Sequence, residues 1–325
     1  MSSAAEIPIS SSRAGRDLNR MACAEHHFIP YHAVDAIGSG PALILAPHPD
    51  DEVFGCGGAL LRHVDAGDPV RVIILTDGGY GGSEDYLRER RLESLGAAAL
   101  LGYGMPEFWD LPDRGLECGE PLIRRLGESI EVHGAEWVYA PSWWEIHPDH
   151  YSLALAATEA VRRCRRPLHL VLYEIGAPLA PNRLLDITAV LERKRAAMAC
   201  FPSQLALQSY DRQILALNRY RTYTLPRAVQ AAEAYRVLHR DELRALPEGG
   251  YPGRIPQKSE EWADARRVLA ELRAELAAFE SRTACLQNLL DELYASTSWR
   301  ITGPLRWISR HWRALTRHLR RRPGP

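Results

Sequence analysis

Two short polar clusters have the residue types and spacing to do chemistry: His48-Pro49-Asp50-Asp51-Glu52 and His147-Pro148-Asp149-His150. Imidazole nitrogens mixed with carboxylate oxygens form a zinc-type ligand set. A catalytic zinc takes three protein ligands and keeps a fourth position open. Two histidines and one aspartate meet that count, provided both clusters reach the same place. Each cluster alone also has a plainer explanation, a solvated turn or an ordinary hydrogen-bonded histidine. Asp50-Asp51-Glu52 would equally suit the first turn of a helix, where carboxylates complement the helix dipole.

The elements around the clusters bear on which explanation holds. ALILAP (residues 42–47) is a short continuous apolar run, as expected of a strand buried on both faces. A helix is expected near 57–66, then a second buried strand, VRVIILT (70–76). The alternation continues with a helix over 86–101, a strand over 107–111 and a helix over 120–133. A strand over 137–141, a helix from about 149 to 163 and a strand over 168–175 complete the pattern. Alternating strands and helices predict a mainly parallel sheet sandwiched by helices. In such sheets ligands sit beyond the carboxyl ends of the strands. Both clusters fall just past predicted strand ends, so the sheet is expected to bring them to one edge.

The segments ALILAPHPDDEVFGCGG, ILTDGGYGG, RRLESLGAAALLG and HPDH, in this order, resemble the LmbE/PIG-L family of zinc-dependent N-acetylglucosaminyl deacetylases. The resemblance covers roughly residues 41–210. It implies a Rossmann-like α/β sandwich, although the GxGxxG dinucleotide fingerprint is absent after the first strand. It also implies removal of an N-acetyl group from an amino sugar in glycan, glycolipid or polysaccharide biosynthesis. By position in the motifs, His48, Asp51 and His150 would hold one Zn2+ per chain and Asp50 would be the general base. His147 would be the cationic or proton-donating group facing the scissile amide, with Asp149 orienting it or stabilising its charge. Arg90 stands in the family's Arg-x-x-Glu position and is expected to touch substrate or to pair with a nearby acid. Trp143 and Trp144, in a stretch lacking the tyrosine of some members, would stack on a sugar or lipid or serve as packing; Trp144 is the candidate for contact. The same constellation would suit other N-acyl or N-carbamoyl groups, and a degenerate scaffold working through its C-terminal helix is the competing class.

The rest of the chain is organised differently. Residues 1–25 are polar and Ser-rich and are read as an N-terminal arm, with the deacetylase-like domain over 26–246. PEGGYPGRIPQ marks a linker (247–258). Over 259–296, Trp262, Ala265, Leu269, Leu272, Leu276, Phe279, Thr283, Leu286, Leu290 and Leu293 step by three and four alternately, predicting a coiled-coil helix and a homo-oligomer through 262–293. The last segment, 297–325, is rich in Trp and Arg. From Arg300 onward it holds eight arginines and no acid, whereas the whole chain has a formal net charge of -1. Such a basic amphipathic tail suits an anionic membrane surface. Its SWRxTxPLR pattern is similar to tails of bacterial glycosyltransferases, so a partner enzyme of that kind is a second expectation, and packing on its own domain a third. The tryptophans count against nucleic acid. Six dispersed cysteines without a CxxC pair read as reduced thiols. No signal-peptide core or run of eighteen apolar residues is present, so a cytoplasmic protein, peripheral to the membrane through its tail, is expected.

Overall fold

The computed structural model describes residues 29–80, 82–246, 259–302 and 304. The expected arm (1–25), the linker (247–258) and most of the basic tail lie outside the described residues. The chain divides into two compact units, Met1–Ile255 and Pro256–Pro325. Among the described residues, no helix is long and apolar enough to cross a membrane.

In chain order the strands are β1 (Ala33–Val34), β2 (Ala42–Ala46), β3 (Val70–Thr76), β4 (Glu107–Leu111), β5 (Trp137–Pro141), β6 (His169–Tyr173), β7 (Arg183–Asp186) and β8 (Ala232–His239). The first unit's helices are α1 (Asp51–Ala66), α2 (Glu84–Leu101), α3 (Glu120–Val132), α4 (Pro148–Arg163), α5 (Leu191–Met198), α6 (Pro202–Leu205), α7 (Tyr210–Tyr220) and α8 (Arg240–Ala245). The second unit contains α9 (Ser259–Ala295) and α10 (Thr297–Ile301).

The strands form one sheet in the order β1-β7-β8-β6-β5-β2-β3-β4. All pairings are parallel except those of β8, which runs antiparallel to β6 and β7. From β2 the chain winds outward through β3 to β4, then returns to the other side of β2 for β5 and β6. The crevice between β2 and β5 is therefore a topological switch point, where open α/β sheets bind ligands. His48 follows β2 and His147 follows β5.

Alternation along β2 explains the two layers. Leu43 and Leu45 enter a core with Leu126 and Ile130 of α3 and Leu153 and Val161 of α4. Ala42, Ile44 and Ala46 face the opposite core, with Leu60 and Leu61 of α1 and Ala97 and Leu101 of α2. Each fully buried Leu or Ile contributes roughly 1.5–3 kcal/mol. The period of two thus fixes which helices flank the site.

The first helix departs from expectation. It begins at Asp51 rather than near Gly57, because the Asp50 carbonyl accepts the N–H groups of Val53 and Phe54. It is also kinked at Cys56 (φ -139°, ψ 25°). An unbroken helix would bond Gly58 N–H to the Phe54 carbonyl, and Ala59 N–H to that of Gly55. Instead the Glu233 carboxylate of β8 accepts Gly58 N–H at 2.7 Å and Ala59 N–H at 2.9 Å. The Lys194 ammonium of α5 donates to the freed Phe54 carbonyl (3.0 Å), to Glu233 (2.7 Å) and to Asn218 (3.2 Å). Gly58 is required here: a Cβ would stand 2.3 Å from Ile187 and 2.7 Å from Glu233. A fully buried ion pair therefore fills a break in the helix that carries Asp51.

Candidate metal centre and its cavity

Three donor atoms converge at the switch point. His48 Nδ1 and Asp51 Oδ2 are 3.1 Å apart, His150 Nε2 and Asp51 Oδ2 3.2 Å, and His48 Nδ1 and His150 Nε2 3.2 Å. Ligands 2.0–2.1 Å from a tetrahedral ion would be separated by about 3.3–3.4 Å, so this triangle has nearly the edge length such an ion requires. Two imidazole nitrogens and one carboxylate oxygen are also a chemically suitable set. The residues fit the implied metal.

Each imidazole is backed by carboxylates on its far nitrogen. His48 Nε2 lies 3.1 Å from Asp149 Oδ2 and 3.3 Å from Asp113 Oδ1. His150 Nδ1 lies 3.5 Å from Glu145 Oε2. Such carboxylate–histidine pairs orient ligands and raise their basicity. The supporting acids are themselves anchored. Asp149 accepts the backbone N–H groups of Arg114 (2.6 Å) and Leu116 (3.0 Å), and Glu145 accepts those of Ile175 (2.7 Å) and Gly176 (3.0 Å). Asp51 accepts the His48 backbone N–H at 2.9 Å.

Asp149 therefore differs from expectation: its carboxylate supports His48 and the 114–116 loop. Only its backbone N–H meets His147, donating to Nδ1 at 3.3 Å. His147 is the N-cap of α4, with Pro148 in the first turn, so the proline restricts the residue that places this imidazole.

The electrostatics separate the roles. Burial alone would lower the His48 and His150 pKa values, but the surrounding carboxylates outweigh it. His48 is raised well above the usual range by Asp113, Asp149 and Asp51, and His150 to about 9 by Asp51 and Glu145. Burial opposes ionisation of Asp51, yet His150 and His48 hold its pKa well below the usual carboxylate range. Asp50 behaves differently: burial raises it to about 7 against the opposing pull of Arg90. Glu52, pushed up to about 8 by burial and then by Asp50, accepts from Tyr103 at 3.2 Å and from Asp50 N–H at 3.1 Å.

His147 shifts in the opposite direction to the two histidines beside it. Burial and the neighbouring His48 and His150 charges lower its pKa to about 4, outweighing Asp149. Of the two roles expected of it, cationic or proton-donating, the lowered pKa favours a neutral proton donor. With Nδ1 accepting from Asp149 N–H, the remaining ring proton sits on Nε2.

Asp50 is strained as well as half-buried, with φ 126°. A non-glycine residue persists there only when its surroundings enforce it, and such strain collects at functional sites. Arg90 supplies part of that enforcement. It is 4% exposed and donates to the Pro49 and Gly78 carbonyls and, at 3.3 Å, to Asp50 Oδ2.

A cavity of about 600 Å³ opens on these groups, lined by His48, Asp50, Asp51, Arg90, His147 and His150 among others. Its remaining wall is largely apolar, including Phe54, Ile146, Ile175, Leu207, Ile214 and Leu217. Trp144 is not part of the lining; it packs against the protein's apolar clusters, and the adjacent Trp143 is buried. The reading of Trp144 as a substrate contact is therefore replaced by packing. Asp113, Glu145, Glu52 and the Lys194–Glu233 pair were not among the expected site residues. Asp113 and Glu145 carry no spacing signal. Glu233 does, as a lone acid inside the apolar strand run AAEAY.

Residues 43–161 match the model of the PIG-L family, described as GlcNAc-PI de-N-acetylase. The chain is 29% identical over 184 residues to diacetylchitobiose deacetylase of Thermococcus kodakarensis, covering 50% of this chain and 69% of that protein. It is 27% identical over 217 residues to 4-oxalmesaconate hydratase of Pseudomonas putida, covering 58% and 80%. The crystal structure of a conserved protein from Thermus thermophilus matches with a TM-score of 0.53 and 28% identity, covering 60% of this chain and 93% of that one.

Proposed function

We propose that the chain, whose residues 43–161 match the PIG-L family model, is a zinc-dependent hydrolase that removes the acetyl group from an N-acetylated amino sugar of the GlcNAc type. The observation that carries this reading is the donor triangle of His48, Asp51 and His150 beside the strained, half-buried Asp50. Its place is glycan, glycolipid or polysaccharide biosynthesis. The apolar wall of Phe54, Ile175, Ile214 and Leu217 supports a sugar carrying an apolar substituent over a free monosaccharide.

His48, Asp51 and His150 would hold the ion. When bound, zinc lowers the pKa of water toward about 7 and polarises a carbonyl oxygen. Asp50, beside the donor triangle, accepts the proton that water loses as its oxygen bonds to the amide carbon. His147 Nε2–H donates to the carbonyl oxygen as negative charge develops there, acting as a neutral donor at a helix N-terminus. When the C–N bond breaks, the proton held on Asp50 passes to the departing nitrogen. Acetic acid and the amine result, the acid's carboxyl proton leaving to give acetate and an ammonium at neutral pH, and Asp50 is restored.

The relative that is a hydratase motivates a second reading, addition of water to a carbon–carbon double bond of a polycarboxylate. Such a substrate calls for several cationic side chains. Among the described cavity-lining residues, Arg90 is engaged by two backbone carbonyls and Asp50, while Arg114 stacks on Tyr80 at 4.3 Å. This favours an uncharged sugar. The deciding experiment measures acetate release from GlcNAc and an alkyl glycoside of GlcNAc, beside hydration of 4-oxalmesaconate, with zinc-loaded protein. Acetate release with preference for the alkyl glycoside is expected; hydration without acetate release would overturn the proposal.

A further inference from the structure

The second unit offers a surface unrelated to the metal centre. Helix α9 runs for 37 residues, Ser259–Ala295. Along it the large apolar side chains are exposed: Leu272, Leu276, Phe279, Leu286, Leu290 and Leu293 are 45–67% accessible. These positions, with Thr283, form the alternating three-and-four seam of a coiled coil, so they call for a helix of the same kind. The flanking residues state which helix, in which direction and in which register.

We infer that α9 pairs with α9 of a second copy of this chain in antiparallel orientation, with Leu276 of each copy against Phe279 of the other. In that register Leu272 faces Thr283. Glu275 lies beside Arg282 of the second copy, and Arg273 beside Glu280. Val268 meets Leu289, both exposed on one flank of the seam, and extends the apolar contact. By two-fold symmetry every one of these pairs occurs twice. All four charged residues find an opposite charge.

The alternatives each carry a penalty. A parallel, in-register pair sets Glu275 against Glu280 and places Val268 beside Arg273. Sliding the antiparallel pair one heptad in one direction puts Glu275 and Arg273 each against its own copy. Sliding it the other way does the same for Arg282 and Glu280. Flanking charges of this kind select partner, register and orientation more than they add affinity.

Sedimentation equilibrium of the full-length protein tests this with a charge exchange. The wild type is expected to be a dimer. Glu275→Arg faces Arg282 in the antiparallel pair and should weaken the dimer by about tenfold, less so at high salt. Glu275→Arg combined with Arg282→Glu should restore it. In a parallel pair the single change would instead remove the repulsion with Glu280 and tighten association. Circular dichroism of each variant verifies that α9 stays helical. A monomeric or trimeric wild type, tightening by Glu275→Arg, or failure of the double exchange to restore the dimer would each overturn the inference.

Discussion

The two motif loops leave neighbouring strands at the same crevice, yet they are built in opposite ways. The loop after β5 enters α4 conventionally, through an N-cap histidine and a proline in the first turn. The loop after β2 enters α1 through a residue at φ 126°, followed by a kink at Cys56. Arg90 clamps the first irregularity and the Lys194–Glu233 pair fills the second. The difference follows from what each loop must place. Under the proposed function, the second loop would deliver one ligand and one neutral donor on a regular helix. The first would bring two ligands and a proton acceptor within four residues, through a helix start that is not regular. Bracing concentrates where the backbone departs from its preferred conformations.

The sharpest way to break this comparison is to remove the proton acceptor and leave the ligands. Asp50→Asn should lower kcat by about 10²–10⁴-fold while zinc content stays unchanged. Removing the brace should cost stability instead. Lys194→Met leaves the buried Glu233 charge uncompensated and should destabilise the first unit by roughly 3–5 kcal/mol in denaturant unfolding. Adding Glu233→Gln to that variant should return part of the loss, since the uncompensated charge is then gone.

Smaller changes sharpen the contrast between the loops. Glu145→Gln, behind His150 on the second loop, should weaken zinc binding by about 10–100-fold in a competition titration. The pH profile should show an acid limb, because Asp50 acts only when ionised and burial raises its pKa, so activity falls as the pH drops. Arg90 stabilises the charged form of Asp50, so Arg90→Gln should move that limb to higher pH. Zinc binding should itself strengthen as pH rises toward about 9, since the ion competes with protons held on His150 and His48.

How much of this was legible in the sequence depends on the range of the interactions. The continuous apolar runs of β2, β3 and β5 announced strands buried on both faces, and the clusters at their ends announced the site. Both follow from local patterning. The antiparallel β8 was not legible, because its apolar run gives no sign of direction. The start of α1 was legible only as one of two readings of Asp50-Asp51-Glu52, a solvated turn or a first helical turn, while its kink at Cys56 depends on Glu233, distant in the chain. Asp149 stands between two histidines in sequence, which suggested His147 as its partner. The helical turn instead directs its carboxylate to His48 and the 114–116 loop. Which of the two expected roles His147 takes, cationic or proton-donating, was not legible for a related reason. Sequence shows a neighbouring carboxylate, but the outcome depends on burial and on two imidazoles from other parts of the site.

The central claim is that His48, Asp51 and His150 together hold one ion. Zinc content per chain, measured on wild type, Asp51→Ala and His150→Ala after equal zinc exposure and dialysis, tests it most directly. About one zinc per wild-type chain is expected, with metal and acetate release lost together in both variants. Either variant retaining a full equivalent of zinc and wild-type activity would contradict the account.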